Sequence, residues 1–140
     1  MTIREDTDRE LALAHEIERH WRCHVFPMSH VSPVDWVLYR DDDLLASVEV
    51  KTRRFESRRY STFLINVHKL DALRDWQTAY GIPSILLVRF TDALLWSPLD
   101  EFVECGKRRI VHTTNGGWNA ARADRLVAFL DLAPFRRIPT

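Results

Sequence analysis

The run SILLVRF, at residues 84–90, constrains the fold of this chain more than any other feature. It is almost continuously apolar, it follows Pro83, and the turn residues Thr91 and Asp92 come directly after it. A short apolar run bounded by turn residues is typical of a strand that is buried on both faces of a sheet. We therefore expect a layered protein of the α/β or α+β class, with this strand inside its sheet.

Two helices and several further strands are expected around that strand. Apolar residues recur at helical spacing in 7–21, where Thr7 or Asp8 is available as the N-cap, and again in 66–81, where Gly81 suits the position after the helix end. The remaining expected elements are a hairpin of WVLYR and LLASVEVKT around Asp41-Asp42-Asp43, strands in ALLWSPL, RIVHT and LVAFLDL, a loop at NGGWNAARAD and an edge segment in FRRI. This order predicts a mixed sheet with helices packed on it.

The composition predicts a single domain over residues 1–140. The chain is 46% hydrophobic, which is enough for one core, and no linker, repeat or low-complexity tract divides it. Its two cysteines form no CxxC pair, and the charged start MTIREDTDRE lacks the apolar stretch of a signal peptide. No run approaches the roughly 18 apolar residues of a membrane span. We expect a soluble cytoplasmic protein with no disulfide and no membrane partner.

Charge is balanced over the whole chain but not along it. Lys and Arg number 20, as do Asp and Glu, so the formal net charge is zero, whereas nucleic-acid-binding proteins usually have a basic excess. Residues 1–45 nevertheless hold half of the acidic residues, and KTRRFESRRY at 51–60 is strongly basic. Phe55 and Tyr60 in this segment could stack on bases. A solvated loop is the alternative interpretation of the segment.

Asp35, Glu49 and Lys51 form the pattern most indicative of chemistry. Residues two apart in a strand project from the same face, so Glu49 and Lys51 point the same way, and the hairpin folds Asp35 back beside their strand. Two carboxylates at one end of a hairpin suit Mg²⁺, which takes one or two protein carboxylates and leaves positions for phosphate oxygens. Lys51 could orient a water molecule or stabilise charge that develops on the phosphate.

The helix expected at 7–21 contributes a further acidic residue. Glu10 falls within the apolar stripe of this helix, and a carboxylate on a buried stripe needs a cation or a hydrogen-bond network. Glu16 lies about 120° from the centre of the stripe and is expected to face solvent. We therefore expect Glu10 rather than Glu16 at the site, with a metal ion or Lys51 as its partner.

These residues resemble the PD-(D/E)XK nuclease superfamily, and within it the small phage or prophage nucleases and the archaeal-type Holliday junction resolvases. The resemblance rests on Asp35, on the spacing of thirteen residues before Glu49-Val50-Lys51, and on the helical Glu10 upstream. It implies an α/β fold with a restriction-endonuclease-like core, in which helices flank a mixed β-sheet in the order αβββαβ.

The resemblance also implies a role for each residue of the motif. Asp35 and Glu49 would be ligands of Mg²⁺, for which Mn²⁺ could substitute, and the Val50 carbonyl could add a further ligand. Lys51 would be the catalytic lysine and Glu10 the helix-borne acidic residue. The basic residues expected to hold the phosphate backbone of DNA are Arg53, Arg54, Arg58, Arg59 and Lys69.

The expected function is that of a metal-dependent DNA endonuclease which hydrolyses phosphodiester bonds, with junction or branched DNA as one option for its substrate. The resemblance further implies a homodimer and a phage-type enzyme in the cytoplasm of a bacterial or phage-infected cell. Two alternatives stay open on the sequence: a catalytically silent nucleic-acid-binding or assembly module with the same fold, and an enzyme that acts on RNA. The sequence assigns no role to residues 100–140.

Overall fold

The computed structural model describes residues 3–114 and 122–139 of the chain. Trp118 and most of the expected loop at NGGWNAARAD lie outside these ranges. The described residues contain two α-helices, α1 (Ile3–Trp21) and α2 (Val67–Tyr80), together with strands that form two sheets. No helix in these ranges is long and apolar enough to cross a membrane.

A six-stranded mixed sheet forms the centre of the fold. Its strands, numbered in chain order, are β1 (His24–Pro27), β2 (Trp36–Arg40), β3 (Asp43–Thr52), β5 (Ser84–Arg89), β6 (Leu94–Pro98) and β9 (Arg136–Ile138). They lie in the order β1-β2-β3-β5-β6-β9, in which β3 and β5 are parallel and the other neighbours are antiparallel. The predicted mixed sheet is confirmed, and FRRI does form the edge strand β9.

A second, antiparallel sheet has three strands in the order β4-β8-β7. These strands are β4 (Thr62–Asn66), β7 (Arg109–Thr114) and β8 (Arg122–Asp131). The predictions of strands in RIVHT and LVAFLDL are confirmed. From α1 to β5 the elements of the central sheet follow the order αβββαβ, with β4 diverted into the second sheet. The sequence patterns miss β1 and β4, since β1 has 4 residues and β4 runs directly into α2.

The two helices cover opposite faces of the central sheet. Leu87 of β5 packs in the apolar cluster that contains Ile17 of α1, whereas its neighbour Leu86 packs in the cluster that contains Leu70 of α2. Because successive strand residues alternate between faces, this division shows that β5 is buried on both sides. The interpretation of SILLVRF is therefore confirmed.

The first helix begins at Ile3, so the prediction that Thr7 or Asp8 caps it is wrong. The first proline in the chain is Pro27, and no glycine precedes it. Nothing in the sequence therefore ends the helical stretch at residue 7, because the strong helix breakers are absent there.

The predicted hairpin of β2 and β3 is confirmed, but its turn is Asp41-Asp42 alone, because Asp43 already belongs to β3 and pairs with Arg40. Asp41 has a positive φ of 53°, a conformation that aspartate tolerates better than most residues do. The register places Trp36 opposite Val48. Asp35, which precedes β2, consequently lies beside the second half of β3.

We expect Leu87→Ala to lower the free energy of unfolding by about 2–5 kcal/mol, the usual cost of truncating a fully buried leucine. Leu87 is 0% exposed. Leu11→Ala is the matched control, since Leu11 of α1 is 55% exposed and its truncation should cost less than about 0.5 kcal/mol. Urea unfolding measures both values, and equal losses would contradict the central position of β5.

Candidate active site

Three hydrogen bonds fix Asp35 at the start of the hairpin. Its backbone N–H donates to the Val48 carbonyl at 3.0 Å, and its own carbonyl accepts the Met28 N–H at 2.8 Å. Its side-chain Oδ2 accepts the Val50 N–H at 2.7 Å. The carboxylate of Asp35 is thus held against the edge of β3, one residue beyond Glu49.

Glu49 lies in the middle of β3 with its side chain only 3% exposed. It projects from the face that α2 covers, as do Ser47 and Lys51 at the strand period of two residues. Ser47 is also buried, and its hydroxyl forms a hydrogen bond with that of Ser84 at 2.9 Å. A carboxylate at this depth costs free energy unless cations or hydrogen bonds offset its lost hydration.

Two lysines from different elements approach Glu49. Lys51 Nζ lies 3.3 Å from Oε1, and Lys69 Nζ, from the first turn of α2, lies 3.0 Å from Oε2. Lys69 Nζ also donates to the Pro33 carbonyl at 2.6 Å. Within the described ranges no donor other than Lys69 reaches Oε2. The structure therefore brings together Asp35, Glu49, Lys51 and Lys69.

The pKa of Glu49 is raised above its ordinary value. Burial is the largest cause, and the negative charge of Asp35 adds to it, while Lys69 and Lys51 act in the opposite direction without cancelling the effect. The Asp35 carboxylate is thus close enough to disfavour the ionised form of Glu49. A further cation between them would relieve that repulsion.

The donors available to such a cation are the carboxylates of Asp35 and Glu49 and the Val50 carbonyl. The N–H and C=O of one strand residue point to the same side, so this carbonyl lies on the Asp35 side of β3. The part of the chain that the structure describes holds no cluster of three or more His, Cys, Asp or Glu side chains able to bind a metal. Mg²⁺ needs only one or two carboxylates and keeps several waters, so this pair fits it. A zinc site, with three or four protein ligands, does not fit.

The prediction that Glu10 lies on the buried face of α1 is wrong. Residues 7–12 are all exposed, and burial begins only at Leu13, because the first turns of α1 have no sheet beneath them. Glu16, which was expected to face solvent, is partly buried and its Oε2 lies 2.7 Å from Nη2 of Arg89. Arg89 projects from β5 toward α1, on the face of the sheet opposite Glu49. The ion pair with Arg89 of β5 thus holds the Glu16 side chain toward the sheet, although the helical wheel predicts that it faces solvent.

The basic segment after β3 is divided between the site and a surface loop. Arg53 is half-buried, with its guanidinium 4.6 Å from the centre of the Phe63 ring. Burial lowers the pKa of the Arg53 guanidinium, although arginine stays charged in proteins. The other three arginines of the segment are exposed; they are Arg54, Arg58 and Arg59.

The loop that holds these arginines is fixed by contacts of its own. Ser57 donates from its backbone N–H and from its hydroxyl to the Asp92 carboxylate, at 2.7 and 2.9 Å. Phe55 packs against Phe90 and against the edge of Tyr60, so Phe55 belongs to the core and is not the free stacking surface that the sequence suggests. Tyr60 is 54% exposed.

A cleft of about 370 Å³ opens beside the two lysines. Its polar lining residues are Lys51, Arg53, Asn66, His68, Lys69 and Arg125. Arg125 is absent from the sequence-based predictions. It reaches the cleft because β8 pairs with β4, and no local pattern reveals the pairing of strands so far apart in the chain.

A family model described as "Phage putative PDDEXK endonuclease" matches residues 2–138. The chain belongs to this endonuclease family. The family resemblance predicted from the sequence is thereby confirmed. In this PDDEXK protein the hairpin brings together the residues that carry the motif, Asp35 and Glu49-Val50-Lys51, and Lys51 also lines the cleft.

One solved structure with a similar fold is that of Hjc from Archaeoglobus fulgidus, a Holliday junction resolvase from an archaeal hyperthermophile. The two share 12% sequence identity with a TM-score of 0.52, over 66% of this PDDEXK chain and 74% of the resolvase chain. At this identity the similarity establishes the fold, and the predicted restriction-endonuclease-like core is confirmed. No curated protein matches the sequence.

We expect Glu49→Gln to stabilise the metal-free protein at neutral pH. Because the pKa of Glu49 is raised in the folded state, the native protein binds this proton more tightly than the unfolded chain does. The wild type therefore loses stability as the pH rises from below the ordinary carboxyl pKa through the raised one. Glutamine does not ionise, so the gain in Tm should be small near pH 4 and largest at neutral pH.

Thermal unfolding in EDTA across this pH range measures the gain in Tm. Glu56→Gln, in the exposed loop after β3, is the matched control, and it should show no gain that grows with pH. A gain for Glu49→Gln that does not depend on pH would contradict the assignment of an unfavourable buried charge.

Proposed function

We propose that this chain is a Mg²⁺-dependent DNA endonuclease that hydrolyses phosphodiester bonds. Family membership supports the nuclease activity. The observation that carries the proposal is the buried Glu49, held between Lys51 and Lys69 beside Asp35 and next to a cleft lined by cations. Carboxylates that hold a divalent cation, with lysines beside the path of a phosphate, are the groups that phosphodiester hydrolysis requires.

Asp35, Glu49 and the Val50 carbonyl would hold the metal, with Mn²⁺ able to replace Mg²⁺. A bound divalent cation supplies a water molecule of lowered pKa and offsets negative charge on the phosphate. The Val50 N–H orients the Asp35 carboxylate through a hydrogen bond. Burial of Glu49, whose side chain is 3% exposed, restricts the positions that its carboxylate can take.

The lysines act on charge at the phosphate. Lys51 is 35% exposed at the end of β3, so its ammonium can contact both the Glu49 carboxylate and a phosphate oxygen in the cleft. There it would orient the attacking water and stabilise the negative charge that grows in the transition state. Lys69 is positioned by the Pro33 carbonyl, and we assign it to the backbone of the bound strand.

The remaining basic residues extend the contact with DNA. Arg53 lines the cleft, and Arg54, Arg58 and Arg59 would hold phosphates outside it. Phosphate contacts position a nucleic acid without specifying its sequence. No described contact joins Glu10 or Glu16 to Glu49, so the proposed chemistry uses no residue of α1.

Branched DNA is the first substrate to examine, because the similar solved structure is that of a Holliday junction resolvase. A homodimer would place two such sites on paired strands. We further propose that the chain is one domain and acts in the cytoplasm of a bacterial or phage-infected cell.

Glu49→Ala and Lys51→Ala should each lower the rate of DNA nicking by about 10²–10³-fold or more, the usual loss when a group that stabilises transition-state charge is removed. The measurement is nicking of supercoiled plasmid and cleavage of a four-way junction, with Mg²⁺ or Mn²⁺. Glu56→Ala and Lys107→Ala are matched controls, because both side chains are exposed outside the cleft. Parallel assays on RNA of the same sequence separate a DNA enzyme from an RNA enzyme.

The same assay distinguishes a nuclease from a catalytically silent module. A wild-type protein that binds DNA but cuts no substrate would overturn the proposal and support a binding or assembly role. Site variants that cut as fast as the controls would show that the chemistry lies elsewhere.

Mg²⁺ should strengthen DNA binding by the wild type, because the acidic pair near the cleft repels phosphate until a cation offsets it. Asp35→Asn should strengthen binding in EDTA and reduce the effect of Mg²⁺. Fluorescence anisotropy with a phosphorothioate DNA, which resists cleavage, gives Kd in each case. Equal Kd values for the wild type with and without Mg²⁺ would contradict this placement of charge.

A further inference from the structure

The cleft beside Glu49 has two walls, and the second comes from a part of the fold to which neither the motif nor the proposed chemistry assigns a role. Lys51, His68 and Lys69 line it from β3 and α2, whereas Asn66 and Arg125 line it from the three-stranded sheet β4-β8-β7. That sheet therefore faces the candidate active site.

The register of the second sheet places several of its residues on the face toward the cleft. Asn66 pairs with Val127, and Arg125 lies two residues from Val127, so Asn66 and Arg125 project from the same face. Arg109 also pairs with Val127 and shares that face. Its guanidinium lies 5.5 Å from the centre of the Phe129 ring. Arg109 and Arg125 thus form a basic stripe that leads away from the cleft.

The charged groups along this path are all of one sign. The cleft lining contains Lys51, Arg53, Lys69 and Arg125 but no Asp or Glu side chain. Among the described residues no carboxylate forms an ion pair with Arg125 or Arg109. Lys51 and Lys69 share the Glu49 carboxylate, but the described residues supply Arg125 and Arg109 with no such partner. An anionic ligand therefore gains an interaction with these two arginines that the protein itself does not supply.

We propose that the three-stranded sheet is the second wall of the nucleic-acid-binding cleft, and that Arg125 and Arg109 bind successive phosphates of the strand that leaves the active site. This inference rests on the proposed function. Arg125, opposite Lys51 and Lys69, holds the phosphate nearest the scissile bond, and Arg109 holds the next one outward.

The test measures DNA affinity against salt concentration for Arg125→Gln, Arg109→Gln and the double variant. Each lost phosphate contact should lower the slope of log K against log [salt] by about 1 and weaken binding on the order of 10-fold. The double variant should lose about 2 units of slope. The same losses on two unrelated DNA sequences are expected, since phosphate contacts do not read bases.

Arg19→Gln is the matched control, because Arg19 is exposed on α1, across the central sheet from the cleft. It should leave both the affinity and the slope unchanged. Circular dichroism checks that the variants fold, and the salt slope separates a lost phosphate contact from a general loss of stability, which would lower the active fraction without changing the slope.

An unchanged slope for Arg125→Gln and Arg109→Gln would overturn this inference even if Glu49 and Lys51 prove to be catalytic. A reduced slope in a protein that cuts no DNA would overturn the proposed function but keep the binding role of the sheet. If the protein binds polyglutamate but not DNA, the stripe binds acidic protein segments, and this result would overturn the inference as well.

Discussion

The rest of the site depends on the ion pairs that two lysines form with the buried Glu49 carboxylate. A carboxylate in the central strand of a packed sheet is unstable without cations nearby, and Lys51 and Lys69 provide them from β3 and α2. Lys69 also donates to the Pro33 carbonyl, next to the segment that holds Asp35. One ammonium group therefore connects the central strand, the first turn of α2 and the start of the hairpin.

The two lysines offset the unfavourable burial of the Glu49 charge only in part. The pKa of Glu49 stays raised because burial and Asp35 outweigh both lysines. Leu86, which pairs with Glu49 across the sheet, is a fully buried apolar residue, so an apolar side chain would pack here at no electrostatic cost. A position that lowers stability in this way is typical of a functional site, where the ligand supplies the charge that the fold leaves out.

The motif was predictable from the sequence because its geometry is local. The two-residue turn, with one register shift between Leu38 and Tyr39, sets the pairing of the hairpin. The strand period then determines that Glu49 and Lys51 share a face beside Asp35. The helical wheel gives the direction of a side chain but not where the sheet beneath the helix ends, so it failed for Glu10. It failed for Glu16 because it cannot show that Arg89 lies across from that residue. The position of Arg125 depends on the pairing of β8 with β4, which no local pattern encodes.

The formal net charge of zero does not mean that the electrostatic field of the protein is weak, because acidic and basic groups are separated in space. The association of a protein with phosphates depends on the cations near the contact and on the counterions they release, not on the sum over the chain. In the described structure the cleft lining holds four Lys and Arg residues and no carboxylate, while Glu49 lies beneath it, shielded between two lysines. An exposed glutamate at the same place would cancel part of the attraction for a phosphate. Burial of this carboxylate therefore lets one small surface accommodate both a divalent cation and a phosphate backbone.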